Sequence, residues 1–137
     1  MRRRLVLIAV FAAALLIPAA AAQAFVARLH APSHHPHVGE PWRIKVSAHR
    51  RNGRPMHASA YYQFVFNGSV VKTCAARPHA RNHHKCPHGH PYRFFGSYRD
   101  KLFWPKKSIG IPLTFRVVVH GRHAGTKKLN YKVKVRR

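Results

Sequence analysis

The chain has 137 residues, and its 26 Lys and Arg face only two acids, so the formal net charge is +24 at pH 7. A chain of this length has room for one domain with one core and not for two. Hydrolysis by paired carboxylates needs two acids at a set separation, and this chain has only two acids in total. Neither a G-x-S-x-G elbow nor a glycine-rich phosphate loop occurs in the sequence. We therefore do not expect an enzyme.

The first 24 residues have the features of a secretory signal peptide. Three arginines follow Met1, an apolar run extends from Leu5 to Ala22, and Ala22-Gln23-Ala24 matches the small-x-small pattern of a cleavage site. We predict cleavage before Phe25 and a secreted or extracytoplasmic mature chain. The N-terminal signal helix is then present only in the precursor. The alternative is an uncleaved signal anchor, because the apolar run is just long enough to span a bilayer. A membrane contact is expected only in that case.

The rest of the chain predicts an all-β domain. Short segments of alternating apolar and polar residues are separated by Gly, Pro and Asn, and no helical periodicity appears. Residues 25–37 are predicted to form an N-terminal strand and a His/Pro-rich lead-in, and residues 38–137 the main domain. In the strand that follows the lead-in, four apolar residues alternate with four polar ones: Trp42, Ile44, Val46 and Ala48 against Arg43, Lys45, Ser47 and His49.

A β-hairpin is predicted at Phe66-Asn67-Gly68-Ser69, because Asn and Gly tolerate the positive φ angles of a two-residue type I′ turn. Counting outward from this turn pairs Phe66 with Ser69, Val65 with Val70 and Phe64 with Val71. This register predicts that one face of the hairpin points into the core. The residues on that face are Tyr62, Phe64, Phe66 and Val71.

The later segments complete the predicted sheet pattern. Residues 75–92 are predicted to be a loop, and strands are expected within 94–104, 111–120 and 126–135. In the last strand, alternation places four residues inward: Leu129, Tyr131, Val133 and Val135. About seven antiparallel strands with frequent turns predict a two-sheet sandwich.

The run Val38-Gly39-Glu40-Pro41-Trp42, followed by an alternating strand, Asn52-Gly53-Arg54-Pro55 and a strand ending at Asn67-Gly68, resembles bacterial immunoglobulin-like domains of secreted and surface proteins. The resemblance covers the rhythm of most of residues 38–135 and about ten identities. It implies an immunoglobulin-like sandwich with a structural or adhesive role. The chain departs from antibody domains because it has no Cys–Trp–Cys core arrangement.

Cys74 and Cys86 are the two cysteines of the chain. An even number of cysteines in an exported domain predicts a disulfide. The alternative is a pair of reduced thiols that bind a metal ion.

Thirteen histidines make metal binding a second hypothesis. Imidazole is the commonest protein ligand for zinc and copper, so several rings in one flexible loop could hold either ion. The candidate ligands are His79, His83, His84, His88 and His90. Their spacing matches no metal-site signature, however, and His34, His35 and His37 in the lead-in share no such spacing either.

The positive charge predicts a partner of opposite sign. The last strand carries a basic stripe on its polar side: Lys128, Lys132, Lys134 and, just beyond, Arg136. We expect this stripe to contact an anionic envelope polymer or a surface protein, without any cofactor. Nucleic acid is not the expected partner, because the mature protein leaves the cytoplasm. The function predicted from sequence is a structural or binding module of the cell envelope, with metal binding as the alternative.

Overall fold

The computed structural model describes residues 24–79, 86 and 88–137. The predicted signal peptide and its helix lie outside these residues, apart from Ala24. Within the described part of the chain, no helix has the length and apolar character needed to cross a membrane.

Eight strands form a sandwich of two antiparallel sheets. The first sheet has the order β1-β2-β6, built from Phe25–His30, Trp42–Arg50 and Ser97–Leu102. The second sheet has the order β4-β3-β7-β8, with the short strand β5 also paired to β3. Its strands are β3 (His57–Phe66), β4 (Ser69–Ala75), β5 (Tyr92–Phe95), β7 (Pro112–Gly121) and β8 (Gly125–Lys134), and a 3₁₀ helix at Lys106–Ser108 precedes β7.

The core lies between the sheets, and the predicted alternation of β2 is confirmed. Ile44 and Val46 are buried on the inner face of β2, in the same core cluster as Phe115 and Val117 of β7. The ring of Trp42 meets that of Phe115 edge to face, with 5.3 Å between their centroids. In β2 the apolar side chains at every second position are therefore buried, and the polar side chains between them are partly or fully exposed.

The region 94–104, which the sequence suggested as one ordered run, contains two strands in different sheets. Gly96 separates β5 from β6 and has φ of +71°, a conformation that favours glycine. Its N–H donates to the carbonyl of Met56 while its own carbonyl accepts from the N–H of Ala48. Gly96 thereby lets the chain pass from the second sheet to the first, which accounts for eight strands rather than about seven.

The hairpin turn at Asn67-Gly68 is confirmed, since both residues have positive φ, 47° and 78°. Phe66 pairs with Ser69 and Val65 with Val70 as predicted, but Phe64 pairs with Lys72. A β-bulge at this point leaves Val71 as the extra residue and reverses the alternation beyond it. The prediction that Phe66 and Val71 lie in the core is therefore wrong: they are 37% and 58% exposed.

The disulfide between Cys74 and Cys86 is confirmed, with 5.1 Å between the two Cα atoms. The alternative of two metal-binding thiols is therefore wrong. The bond ties the buried end of β4 to the loop that follows it. A disulfide indicates an oxidising, extracytoplasmic environment.

Removing this disulfide is expected to destabilise the fold. Closing a loop of this length restricts the unfolded chain, so Cys74→Ala/Cys86→Ala should lower the free energy of unfolding by about 3 kcal/mol. Urea denaturation of the oxidised protein and of the variant measures the difference. A reductant should shift the wild-type midpoint and leave the variant's unchanged; a wild-type midpoint that ignores the reductant would contradict the prediction.

Candidate anion-binding surfaces

The outer face of the first sheet carries the densest group of positive charges among the described strands. Inward-facing residues of β2 and β6 alternate with outward-facing basic ones, and β1 adds one more. We call this surface the basic sheet face and define it by five exposed residues: Arg28, Arg43, Lys45, Arg99 and Lys101.

Strand pairing brings these charges opposite one another. Lys45 on β2 is paired with Arg99 on β6, and Arg43 is paired with Lys101. On its other side Lys45 is paired with His30 of β1. Directly opposite residues of an antiparallel pair have Cβ atoms roughly 4.5–5.5 Å apart, and like charges at that spacing destabilise a sheet. The face therefore holds repelling charges in fixed rows.

Neither acid of the chain lies on this face. Asp100 stands between Arg99 and Lys101 in β6, but its side chain points to the interior and is 6% exposed. Glu40 lies before β2, where its N–H donates to the carbonyl of His37. The exposed rows of positive charge are accessible to solvent ions and to a binding partner.

The basic stripe predicted from sequence lies on the other side of the molecule. Lys128, Lys132 and Lys134 are exposed on the outer side of β8, and Arg136 is exposed just after it. The inward set of this strand is as predicted: Val133 and Val135 are buried, and Leu129 and Tyr131 are partly buried against the core.

The neighbours of this stripe are mostly uncharged. Lys128 is paired with Val118 of β7, and Lys132 with Thr114. Between them, Arg116 donates from Nε to the side-chain oxygen of Asn130 at 2.8 Å. The β7–β8 pairs thus hold at most one Lys or Arg each, whereas two β2–β6 pairs of the basic sheet face hold two each.

The histidines of the lead-in hold it against the C-terminal strand. His34 Nδ1 lies 2.6 Å from the carbonyl oxygen of Lys132, and its ring stacks on Tyr131 at 4.1 Å. His35 and His37 make the same kind of contact with the carbonyls of Lys134 and Arg137. A carbonyl only accepts, so each Nδ1 must carry the hydrogen. These three rings have a structural role.

The predicted metal ligands are not brought together as far as the structure describes them. His79, His88 and His90 are exposed, and His83 and His84 lie outside the described residues. His79 Nε2 is 3.3 Å from the hydroxyl of Tyr92. In the described part of the chain, no group of three or more His, Cys, Asp or Glu could hold a metal ion.

Asp100 takes part in a hydrogen-bond network that crosses the core. The Tyr62 hydroxyl donates to one carboxylate oxygen at 2.7 Å, and the N–H of Lys101 donates to the other at 2.7 Å. The Tyr98 hydroxyl in turn donates to that of Tyr62 at 3.2 Å. Since Tyr62 belongs to the second sheet and Asp100 to the first, this network joins the sheets.

Burial raises the pKa of Tyr62 far above its usual value, and the neighbouring Tyr98 and Asp100 raise it further. Burial likewise raises the pKa of Tyr98, although its hydrogen bond to Tyr62 partly offsets the effect. Both hydroxyls therefore stay protonated and act as donors throughout the physiological range.

The basic sheet face was not predicted from the sequence, although a signal for it was present. Arg43-x-Lys45 and Arg99-x-Lys101 repeat the same spacing, which places both residues of each pair on one side of a strand. Only the pairing of β2 with β6 shows that the two pairs are neighbours.

Comparison with known proteins adds no assignment: the chain matches no protein-family model and no curated protein.

The raised tyrosine pKa values predict a loss of stability in alkali. Above the unfolded pKa near 10, the unfolded chain releases protons that folded Tyr62 and Tyr98 retain. Each tyrosine should then lower the free energy of unfolding by about 1.4 kcal/mol per pH unit. Denaturant titrations between about pH 9 and 12 measure this slope.

The double variant Tyr62→Phe/Tyr98→Phe is the control and should show a clearly smaller slope. Absorbance of tyrosinate should also show that two of the five tyrosines resist ionisation while the protein is folded. Ionisation of all five near pH 10 in the folded protein would contradict the assignment.

Proposed function

We propose that the mature chain is a secreted, non-enzymatic immunoglobulin-like module that binds an anionic polymer of the cell envelope through the basic sheet face. The observation that carries the proposal is the direct pairing of Arg43 with Lys101 and of Lys45 with Arg99. Such rows are costly to the isolated protein, and a polymer with regularly spaced negative charges offsets that cost.

The strand order supports the immunoglobulin-like part of the proposal. A constant-type immunoglobulin sandwich places its first, second, fourth and fifth strands in one sheet and its third, sixth and seventh in the other, and the variable type adds strands to this second sheet. Here β1, β2 and β6 make one sheet, and β3, β7 and β8 make most of the other. β4 and the short β5 both pair with β3, so they correspond to strands added to this sheet, as in the variable type, and not to the fourth strand of the constant type.

The shape of the basic sheet face favours a polymer over a small anion. Its charges lie on the outside of a sheet, spread over three strands that are roughly 4.8 Å apart. Successive rows along a strand are about 6.7 Å apart. A small anion could meet only one row, whereas a phosphate- or carboxylate-bearing chain contacts several at once.

The disulfide supports the extracytoplasmic location of this module. Metal binding through His79, His83, His84, His88 and His90 stays a prediction, because two of the five lie outside the described residues.

The proposal predicts that polymer binding depends on the basic sheet face more than on net charge. Arg43→Gln/Lys45→Gln/Arg99→Gln/Lys101→Gln should weaken binding to polyphosphate at least tenfold. It should also flatten the dependence of the binding constant on salt, because fewer counterions are exchanged. Fluorescence anisotropy of labelled polyphosphate at several salt concentrations measures both effects, and polyglutamate tests a carboxylate polymer.

The matched control removes the same number of charges from the other side: Lys128→Gln/Lys132→Gln/Lys134→Gln/Arg136→Gln. It should weaken binding only a few-fold. Equal losses in both variants would show that net charge alone attracts the polymer and would overturn the proposed site. The basic-face variant should unfold at the same or a higher urea concentration than wild type, because it removes like-charge pairs.

A further inference from the structure

A cleft of about 790 Å³ opens at one side of the sandwich, between the edge of β4 and the segment that runs from β6 to β7. It is separate in character from the basic sheet face, because its walls are mainly apolar. The side chains that form these walls include Tyr62, Phe64, Val71, Leu102, Trp104 and Leu113.

The β-bulge contributes directly to this cleft. Because Val71 is the extra residue opposite Phe64, it is not part of the regular inward face of β4. It is 58% exposed and lines the cleft, as does Ile111, which is 38% exposed. Bulges commonly redirect a side chain toward a functional site. The chain thus leaves large apolar groups in water at the mouth of a cavity.

Positive charges surround the same mouth. Lys106 and Lys107 on the 3₁₀ helix are exposed on one side, and Lys72 and Arg77 on the side of β4. The carboxylate of Asp100 also reaches the wall, but it is buried and accepts hydrogen bonds from Tyr62 and Lys101. The rim therefore presents a positive field to an entering molecule.

Trp104 supplies an independent observation. Its ring is 4% exposed and lines the cleft, and its buried Nε1 has no hydrogen-bond partner among the residues that the structure describes. A buried donor without a partner calls for an explanation. An oxygen atom of a molecule that enters the cleft and displaces the side chains covering Nε1 would supply one.

We propose that this cleft binds a single-chain anionic lipid: an acyl chain, an ester oxygen and a phosphate. The acyl chain lies along the apolar walls, the ester oxygen accepts from Trp104, and the phosphate meets the lysines of the rim. The volume lies within the range of roughly 300–1,000 Å³ typical of sites for molecules of this size. Of the five residues that define the basic sheet face, only Lys101 also lines the cleft, so the variants below leave that residue unchanged.

Tryptophan fluorescence of the full chain tests the proposal, because Trp104 lines the cleft and Trp42 lies 5.5 Å from it, centroid to centroid. Palmitoyl lysophosphatidic acid, below its micelle concentration, should cause a saturable change with one-to-one stoichiometry. Two analogues separate the contributions. Monopalmitoyl glycerol lacks the phosphate and should bind at least fivefold more weakly, and glycerol phosphate lacks the acyl chain and should cause no change.

Neighbouring valines on β4 provide a matched pair of variants. Val71→Glu places a negative charge in the mouth and should weaken binding at least tenfold. Val70→Glu makes the same change at a residue that is 44% exposed and is not among those lining the cleft, and it should bind like wild type. Both residues are exposed, so both variants are expected to fold. A urea unfolding midpoint equal to that of wild type checks this.

Charge at the rim is tested separately. Lys106→Gln/Lys107→Gln should reduce the preference for lysophosphatidic acid over monopalmitoyl glycerol several-fold, whereas Lys127→Gln/Lys128→Gln on β8 should leave it unchanged. Val71→Glu should leave polyphosphate binding unaltered. A failure of the lipid proposal can therefore be told apart from a failure of the proposed polymer binding.

Three results would overturn the cleft as a lipid site. The first is the absence of a saturable change with lysophosphatidic acid. The second is an equal loss of lipid affinity in Val70→Glu and Val71→Glu. That result would place the lipid elsewhere, for example on the apolar N-terminal segment. The third is binding only to vesicles of two-chain anionic lipid, equally in all variants, which would indicate attraction to a membrane surface.

Discussion

The hydrogen bond from Tyr62 to Asp100 is the contact on which the rest of this structure depends. It crosses the core from the second sheet to the first, and its acceptor is a carboxylate that is 6% exposed. A buried carboxylate is tolerated only when hydrogen bonds satisfy it. Here the Tyr62 hydroxyl and the N–H of Lys101 bond to different oxygens of the same group.

This contact also determines which side of β6 faces water. With Asp100 inside, alternation sends Arg99 and Lys101 outward, beside Lys45 and Arg43. A shift of one residue in the pairing of β6 would bury two cations and expose the carboxylate. One of the chain's two acids is thus used in the core, and its inward position keeps its negative charge off the outer face of β6.

The histidines show that an unusual composition does not by itself identify a site. In the lead-in, His34, His35 and His37 bond through Nδ1 to main-chain carbonyls at the end of the chain. Backbone bonds run alongside, from Lys134 to His34 and from Arg136 to Pro36. The lead-in is therefore attached along β8 as part of the sandwich. What looked like a ligand-rich segment instead closes one edge of a sheet.

The sequence by itself determined the all-β class, the disulfide, the hairpin turn, and the inward faces of β2 and β8. Each follows from local rules: period-two alternation, paired cysteines and the φ preferences of Asn and Gly. It did not determine the bulge that moves Val71 out of the core, or the passage between sheets at Gly96. The passage at Gly96 depends on backbone bonds to Ala48 and Met56, which are distant in the sequence.

Only the tertiary structure decided which strands are neighbours. Arg43-x-Lys45 and Arg99-x-Lys101 lie more than fifty positions apart in the chain, and nothing local indicates that β2 pairs with β6. The same holds for the cleft, whose walls come from strands of both sheets. Alternation tells which side chains share a face of one strand, whereas surfaces built from several strands depend on long-range pairing set by the burial of a common core.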